Sequence, residues 1–340
     1  MNCPIRSDRE PLVRFFGRSG DTENGVLIPW TASGFVVRFS GTAFSARLLA
    51  NHTENPAAAP YLSVFVDGDE RYTVGLTAPD AWVTLAEGLP AGEHTVTVVK
   101  LSEASQSHAI LSEIETDGEF LPPPPSKNTR RIQFVGDSIT TGFGVLAPKE
   151  QWPFSTAEQD GWQSYAVSVA RELDADFHIF AISGFAVYKS PFGGSVPPLY
   201  PFVDGAEECR IPWDYDRFQP DVTVVNLGTN DHAWYCNDCS QHLSEEERHR
   251  RVEDAYYAFL HQLHEAHPKS KFVCTIGMLT AFTSVDVEKA VNRVAAEGIE
   301  AVYVPVPLAK EYGAGHPALS SHREATELLV PAIRKLMNWN

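Results

Sequence analysis

The segment Phe134-Val135-Gly136-Asp137-Ser138-Ile139-Thr140-Thr141-Gly142 places a serine hydroxyl directly after a short apolar run. The apolar residues at 132, 134 and 135 predict a buried strand, and Gly-Asp-Ser predicts its end. In open α/β folds, ligands bind beside the carboxyl ends of such strands. Gly-Asp-Ser is also an ordinary turn sequence, because all three residue types favour turns. The tripeptide alone leaves a turn and a nucleophile both open, and the patterns downstream decide between them.

From residue 131 onward, near-continuous apolar runs alternate with segments of helical period. Such runs are typical of parallel strands covered on both faces. The strands are predicted at 132–135, 177–182, 222–227, 272–276 and 301–306. The helices are predicted at 163–173, 245–266, 285–296 and about 322–337, and two of them open on a capping-box spacing, Ser244 with Glu247 and Ser321 with Glu324. This alternation predicts a three-layer α/β/α domain with a five-stranded parallel sheet.

The first third of the chain has a different pattern. Residues 13 to about 118 form a succession of short runs, several of which alternate apolar and polar residues, as in Leu62–Val66 and His94–Val98. Turn sequences such as Asp67-Gly68-Asp69 separate them at short intervals. Many short strands with regular turns predict a β-sandwich of the jelly-roll type.

Four consecutive prolines, at 122–125, lie between these two patterns. Proline disfavours both a helix interior and a central strand, and a proline run favours extended polyproline II structure. The predicted organisation is therefore a β-sandwich over 1–121, a stiff linker over 122–130 and an α/β domain over 131–340.

Composition narrows the class of protein. Apolar residues make up 43% and charged residues 21%, which is typical of a globular protein, and the net charge of −17 disfavours nucleic acid and anionic membranes as partners. The N-terminus has no apolar stretch of the kind found in a secretory signal, and no run of about 18 apolar residues predicts a membrane span. The five cysteines lack the spacing of a disulfide framework. We predict a cytoplasmic protein.

Four local patterns fall at strand ends of the second domain. In chain order they are Gly136-Asp137-Ser138, Ser183-Gly184, Gly228-Thr229-Asn230-Asp231 and Gly315-His316-Pro317. This ordered set resembles the SGNH (GDSL-like) hydrolase superfamily. The proline-rich linker into Arg130–Thr140 and the segment Val225–Asp231 resemble carbohydrate esterase family 2, which also carries an N-terminal jelly roll.

The resemblance implies a role for each residue. Ser138 would be the nucleophile, and His316 would be the base and later the acid, since an imidazole titrates near neutral pH. The backbone N–H groups of Ser138 and Gly184 and the side-chain amide of Asn230 would form the oxyanion hole. Taken singly, Gly184 fits a turn and Asn230 fits a turn or a cap equally well. Asp137 and Asp231 are expected to cap or brace their loops.

The sequence departs from the superfamily pattern beside the histidine. Members usually carry an aspartate two or three residues before it, whereas this chain has Ala314 and Gly313. Some members of the resembled family use a main-chain carbonyl instead, so we predict a Ser138–His316 dyad. Glu311 is a weaker alternative as third member. His322, beside Ser321, is expected to have a surface or capping role.

A group of possible metal ligands follows Asn230. His232, Cys236, Cys239 and His242 carry the imidazole and thiol groups that bind zinc. Only one Cys-x-x-Cys is present, and the histidine spacing matches no zinc-finger pattern. We therefore favour a loop with free thiols over a zinc site, and predict no metal and no cofactor.

Aromatic residues near the four patterns are candidates for sugar contacts. Trp234 lies four residues after Asn230, and an aromatic face stacks well on the apolar face of a pyranose. Trp213, Trp152 and Phe185 are weaker candidates, for which packing in the core is the alternative. Trp234 is the predicted substrate-binding residue.

The function implied by the resemblance is removal of O-acetyl groups from carbohydrates such as acetylated xylo- or manno-oligosaccharides, through a Ser-His acyl-enzyme. The partner is then a small acetylated oligosaccharide, and neither nucleic acid nor a membrane is expected. Two alternatives stay open: a lipase or thioesterase acting on other acyl esters, and an inactive carbohydrate-binding protein. The sequence makes no prediction about the sugar, the hydroxyl position or the oligomeric state.

Overall fold

The computed structural model describes residues 5, 11–55, 57–68, 70–148, 154–205, 210–237 and 241–340. The chain divides into two compact units. The first unit comprises Met1–Lys127, Pro153–Trp162 and Phe202–Trp213, and the second unit comprises the remaining segments. The sequence-based division treated 131–340 as one uninterrupted domain, whereas 153–162 and 202–213 group with the first unit. Neither segment has an alternating pattern that would have revealed this.

The first unit consists of two antiparallel sheets, as the jelly-roll prediction required. One sheet has the strand order β1-β4-β9-β6-β7, with β11 also paired to β4, and the other has the order β2-β3-β10-β5-β8. The strands are β1 Val13–Phe16, β2 Gly20–Thr22, β3 Gly25–Ile28, β4 Gly34–Gly41, β5 Phe44–Ala50, β6 Tyr61–Val66, β7 Glu70–Gly75, β8 Asp80–Ala86, β9 Gly92–Lys100, β10 Ala109–Thr116 and β11 Glu119–Leu121.

Alternation of buried and partly exposed residues builds this sandwich. In β5, Phe44, Ala46 and Leu48 are buried, and the residues between them are partly exposed. The buried set joins Val64 and Val98 of the other sheet in a common apolar core. A strand with this period has one face for the core and one for solvent, which fixes its register. The three-residue strands β2 and β11 were not predicted, because so short a run carries no readable period.

The second unit is built around a five-stranded parallel sheet, also as predicted. Its order is β13-β12-β14-β15-β16. The strands are β12 Arg130–Gly136, β13 Ala175–Ala181, β14 Val222–Asn226, β15 Lys271–Thr275 and β16 Ala301–Tyr303, and a short hairpin adds β17 Tyr312–Gly313 and β18 His316–Pro317. The helices are α1 Ser138–Thr141, α2 Tyr165–Glu172, α3 Thr229–Cys236, α4 Glu245–Ala266, α5 Ser284–Ala296 and α6 Leu319–Met337.

Three of these strands end side by side. In the sheet register, Gly136 at the end of β12 pairs with Ala181 of β13 on one side and with Asn226 of β14 on the other. The chain segments that follow the three strands therefore leave the same edge of the sheet at the same level. This edge carries Ser138, Gly184 and Asn230, which is where an open parallel sheet places its ligands.

The helix predictions succeeded where local sequence decides the boundary. Helix α4 occupies the predicted range, and the Ser244 hydroxyl accepts the Glu247 N–H as a cap. Helix α6 begins at Leu319 rather than near 322, so the proposed Ser321 cap is wrong. Helix α3 was not predicted. No helix in the described part of the chain is long and apolar enough to cross a membrane.

Candidate active site

Ser138 begins the short helix α1 immediately after β12. The Asp137 carboxylate accepts the backbone N–H of Ile139 at 3.0 Å and so caps this helix. Gly142, in the left-handed conformation at φ 72°, ends it one turn later. Ser138 itself is 5% exposed. The tight turn between strand and helix thus fixes the direction of both the Ser138 hydroxyl and its backbone N–H.

His316 lies on β18 and faces Ser138. Its Nε2 atom is 2.8 Å from Ser138 Oγ, and its Nδ1 atom is 3.2 Å from the Ala314 carbonyl oxygen. The ring also packs on Phe143, with 4.4 Å between ring centroids. Burial lowers the pKa of His316, against a smaller opposing effect of the Ala314 carbonyl. A neutral imidazole can accept the serine proton, so this pair has the geometry of a nucleophile and its base.

The hairpin that carries His316 has special backbone requirements. Ala314 and Gly315 form its turn with φ values of 49° and 70°. A side chain at Gly313 would lie 2.3 Å from the Ala147 carbonyl oxygen. An aspartate could not occupy position 313 without moving the 144–147 segment, so the packing of this hairpin excludes an acid at that position.

Gly184 lies three residues after β13 in a left-handed conformation, at φ 79°. A Cβ atom at this position would lie 3.3 Å from Cβ of Phe192, closer than most real side-chain contacts. Both features favour glycine. Phe192 is 75% exposed, which makes it the most exposed large apolar residue among the described residues. Sequence analysis assigned Phe192 no role.

Asn230 lies in the first turn of α3. Its Nδ2 atom donates to the Phe185 carbonyl at 2.8 Å and lies 3.5 Å from Oδ2 of Asp137. The amide therefore contacts the residue after Gly184 and the residue before Ser138. Its two N–H groups are unequal: one makes a good hydrogen bond, and the other lies at the outer limit of one. The structure thus brings Ser138, His316, Asn230 and the Gly184 turn together.

Two carboxyl groups are fully buried beside these residues. Burial raises the pKa of Asp137 to about 7, against the hydrogen bond from the Ile139 N–H. Burial also raises the pKa of Asp231 to about 6, against three backbone hydrogen bonds. Both carboxyls accept backbone N–H groups, so the prediction that they cap or brace loops is confirmed.

Glu311 and His322 have other partners. The Glu311 carboxylate accepts the Ser320 hydroxyl at 2.7 Å, while His316 Nδ1 faces the Ala314 carbonyl. His322 was expected to have a surface or capping role; it is 1% exposed, and its Nδ1 atom accepts the backbone N–H of Tyr165 at 3.0 Å. The surface alternative is wrong, whereas the capping alternative holds for α2 rather than for α6, because Tyr165 is the first residue of α2.

Trp234 does not present a face to solvent. Its side chain is 4% exposed and packs edge-on against Tyr188, with 5.0 Å between ring centroids. Burial within α3 gives this ring a packing role, so its predicted contact with substrate is not supported. Trp213 is likewise 5% exposed, and Trp152 lies outside the described residues. Phe185 lies under Gly193 and Gly194.

His232, Cys236 and His242 are the described members of the cysteine and histidine group after Asn230. The described residues contain no group of three or more metal-binding side chains. His232 Nδ1 instead lies 2.9 Å from the Thr280 hydroxyl, and its ring stacks on Phe282. Cys236 is an exposed free thiol, and Cys239 lies outside the described residues.

A hydroxyl bonded to a neutral imidazole, beside an amide and a glycine turn, is an arrangement suited to acyl transfer. Residues 15–125 match the N-terminal domain of carbohydrate esterase 2, and residues 134–327 match the GDSL-like lipase/acylhydrolase family. The chain belongs to carbohydrate esterase family 2. It is therefore an ester hydrolase of the SGNH type.

Relatives of this carbohydrate esterase support the assignment. The chain is 26% identical to the cellulase/esterase CelE of Acetivibrio thermocellus over 97% of its own length, and it spans 40% of the length of CelE. It is 24% identical to an acetylxylan esterase/glucomannan deacetylase of Cellvibrio japonicus, over 97% of this chain and 90% of that protein. A family two carbohydrate esterase from Clostridium thermocellum, solved with cellohexaose, has a TM-score of 0.84 at 24% identity, with coverage of 96% and 100%.

Proposed function

We propose that this esterase removes O-acetyl groups from carbohydrates and that Ser138 and His316 carry out the reaction. The observation that supports this most directly is the 2.8 Å separation of His316 Nε2 and Ser138 Oγ. The relatives from Cellvibrio japonicus, described as acetylxylan esterases and glucomannan deacetylases, support the acetyl group and the glycan.

In the proposed reaction, Ser138 Oγ attacks the acetyl carbonyl carbon while His316 Nε2 accepts the serine proton. The carbonyl oxygen becomes an oxyanion, which the backbone N–H groups of Ser138 and Gly184 and the Asn230 amide stabilise. His316 then gives its proton to the sugar oxygen, and the bond between that oxygen and the acetyl carbon breaks. The acetyl group is then bound to Ser138 Oγ as an ester.

The second half repeats these steps with water. His316 accepts a proton from a water molecule, whose oxygen attacks the acetyl carbon. The second oxyanion collapses, the proton returns to Ser138 Oγ, and acetate leaves. The Ala314 carbonyl orients the ring throughout by accepting a hydrogen bond from Nδ1–H. Because it carries no full charge, it stabilises the imidazolium less than an aspartate would.

Phe192 is the proposed sugar contact in place of Trp234. Its ring is exposed and lies next to the Gly184 turn, so a sugar bound at Ser138 can cover it. An aromatic ring binds the apolar face of a pyranose while the hydroxyl groups stay hydrated. The inferred substrate is therefore an acetylated sugar unit within an oligosaccharide.

The test is a panel of esters run with wild type and Ser138→Ala. We expect hydrolysis of p-nitrophenyl acetate and release of acetate from acetylated xylo- or manno-oligosaccharides, and loss of both by at least about 10³-fold in the variant. Faster turnover of long-chain p-nitrophenyl esters than of acetate would favour the lipase alternative. Activity retained by Ser138→Ala would overturn the mechanism.

A further inference from the structure

Asp231 has more hydrogen-bond donors around it than a simple helix residue needs. Its Oδ2 atom accepts the backbone N–H of Val187 at 3.0 Å, and its Oδ1 atom accepts those of Tyr188 at 2.8 Å and Lys189 at 3.3 Å. Three successive amides thus converge on one fully buried carboxyl. An ionised carboxylate suits this position, because its oxygens accept hydrogen bonds and donate none.

The three amides belong to the segment that follows Gly184. Between them and Gly184, the Phe185 carbonyl accepts the Asn230 amide, and Ala186 forms backbone hydrogen bonds with Gly194 and Val196. Neighbouring side chains on α3, Asn230 and Asp231, therefore hold the same loop at two successive points. The Gly184 turn has little freedom left, because the chain is fixed from Phe185 to Lys189.

We propose that Asp231 is a positioning residue for the oxyanion hole: by holding the backbone of 187–189 it sets the direction of the Gly184 N–H and the place of the Asn230 amide. This inference rests on the proposed function of those two donors. The carboxylate itself touches no reacting atom. It acts by keeping the donors aimed at the oxyanion before substrate binds, which is where this kind of stabilisation is most effective.

An amide in place of the carboxylate disrupts this contact. Asparagine has one acceptor oxygen, and its NH₂ group would face backbone N–H donors. In Asp231→Asn at least one of the three amides loses its partner, and the loop shifts to relieve the contact. Loss of one oxyanion donor costs about 10²–10³ in turnover, so displacement of a donor is expected to lower kcat by about 10- to 100-fold.

Asp286→Asn provides a matched control. The Asp286 side chain is 1% exposed and is bound by the His249 ring rather than by the loop after Gly184. Both variants replace a buried carboxyl in the same unit by an amide. Only Asp231→Asn is expected to lower kcat for p-nitrophenyl acetate, with KM changed by less than about threefold, because the donors act mainly on the transition state.

Binding of methylboronic acid separates positioning from general destabilisation. Boron accepts Ser138 Oγ and becomes tetrahedral and anionic, so one of its oxygens occupies the oxyanion hole as a transition-state mimic. We expect its inhibition constant to rise in Asp231→Asn by about the same factor as kcat falls. Product inhibition by acetate, which forms no tetrahedral centre, is expected to change by less than about threefold.

Each outcome decides the question. Unchanged kcat in folded Asp231→Asn, or reduced kcat with unchanged boronic acid inhibition, would overturn the proposal. Should Asp231→Asn not fold, Asp231→Ser, which is smaller and retains one acceptor, is expected to show the same paired losses. If neither folds, Asp231 is required for folding and the positioning role is rejected. Ser138→Ala is measured in parallel, and activity retained there would reject the proposed function itself.

Discussion

The Nδ1 atom of His316 lies 3.2 Å from the carbonyl oxygen of Ala314, two residues earlier in the same hairpin. The orienting group therefore belongs to the backbone and cannot be removed by changing a side chain. Its position depends on the left-handed turn at Ala314 and Gly315 and on the close approach of Gly313 to the 144–147 segment. Substitutions in this turn should therefore change the orientation of His316 by changing the backbone conformation, and not by removing a charge.

The first prediction concerns Glu311, the nearest acidic candidate in the sequence. Its carboxylate is exposed and accepts the Ser320 hydroxyl, so it leaves the orientation of His316 to Ala314. We expect Glu311→Gln to keep kcat/KM for p-nitrophenyl acetate within about twofold of wild type, because the amide oxygen can still accept that hydroxyl. A loss of more than about tenfold would place Glu311 in the mechanism after all.

A second prediction follows from the backbone at Gly184. Gly184→Ala puts a Cβ atom 3.3 Å from Phe192 Cβ and forces alanine into the left-handed region. The strain should lower the free energy of unfolding by about 1–2 kcal/mol. The crowding should also displace the N–H donor and reduce kcat by at least about tenfold, which steady-state kinetics will measure.

Gly88→Ala is the control for that experiment. Gly88 has a similar φ of 66°, but a Cβ atom there would meet nothing within 4 Å. The two variants share the backbone strain, and only Gly184→Ala adds crowding beside the proposed oxyanion hole. Similar stability losses with unequal kcat are the expected result, whereas an equal effect on kcat would remove Gly184 from the site.

Phe192 gives the third prediction. If its exposed ring binds a sugar, Phe192→Ala should raise KM for acetylated oligosaccharides by about 5- to 30-fold, corresponding to about 1–2 kcal/mol of lost contact. KM for p-nitrophenyl acetate should change little, because that ester has no sugar to stack. Leu328→Ala, which truncates an exposed apolar side chain on α6, is the control. A KM for the oligosaccharides equal to that of wild type would exclude the stacking contact.

The contact between Ser138 and His316 and both fold classes could be predicted from sequence because each depends on local signals. Ser138 and His316 lie in short motifs whose residue types are unusual together. The burial of β5 is visible in its alternation, and that of β14 in its near-continuous apolar run. Parallel strand ends meet at one edge of a sheet, so the motifs at those ends are close in space.

The wrong predictions concern side chains whose burial or contacts depend on a distant part of the chain. Trp234 was assigned to the cleft from its distance in sequence to Asn230, but Tyr188 covers its ring. His322 is enclosed because the N–H it accepts belongs to Tyr165, 157 residues earlier. The three amides bound by Asp231 lie more than 40 residues away. Single-sequence patterns carry no information about such pairings.

His322 on α6 is linked by hydrogen bonds through Tyr165 of α2 to Thr140 of α1, close to Ser138 and His316. Its Nδ1 accepts the first N–H of α2, where the N-cap Ser164 makes no side-chain hydrogen bond. The Tyr165 hydroxyl in turn lies 2.9 Å from that of Thr140 on α1. Protonation at Nδ1 would remove the acceptor and place a positive charge at a helix N-terminus, which is unfavourable. Burial, and then the neighbouring His316, lower the pKa of His322 to about 4.

The last prediction is a pH-dependence of stability that belongs to His322. The unfolded chain protonates this imidazole as pH falls through about 6.5, whereas the folded chain does so only near 4, so acidification favours unfolding. At pH 5 the cost is about 2 kcal/mol. In His322→Phe the cost disappears, so the stability advantage of wild type over the variant should shrink by about that amount between pH 7 and pH 5, as measured by urea denaturation. His322→Asn, which keeps an acceptor for the Tyr165 N–H, should show the same pH-dependence with a smaller loss at pH 7. An advantage that stays constant between the two pH values would show that His322 titrates alike in the folded and unfolded chains.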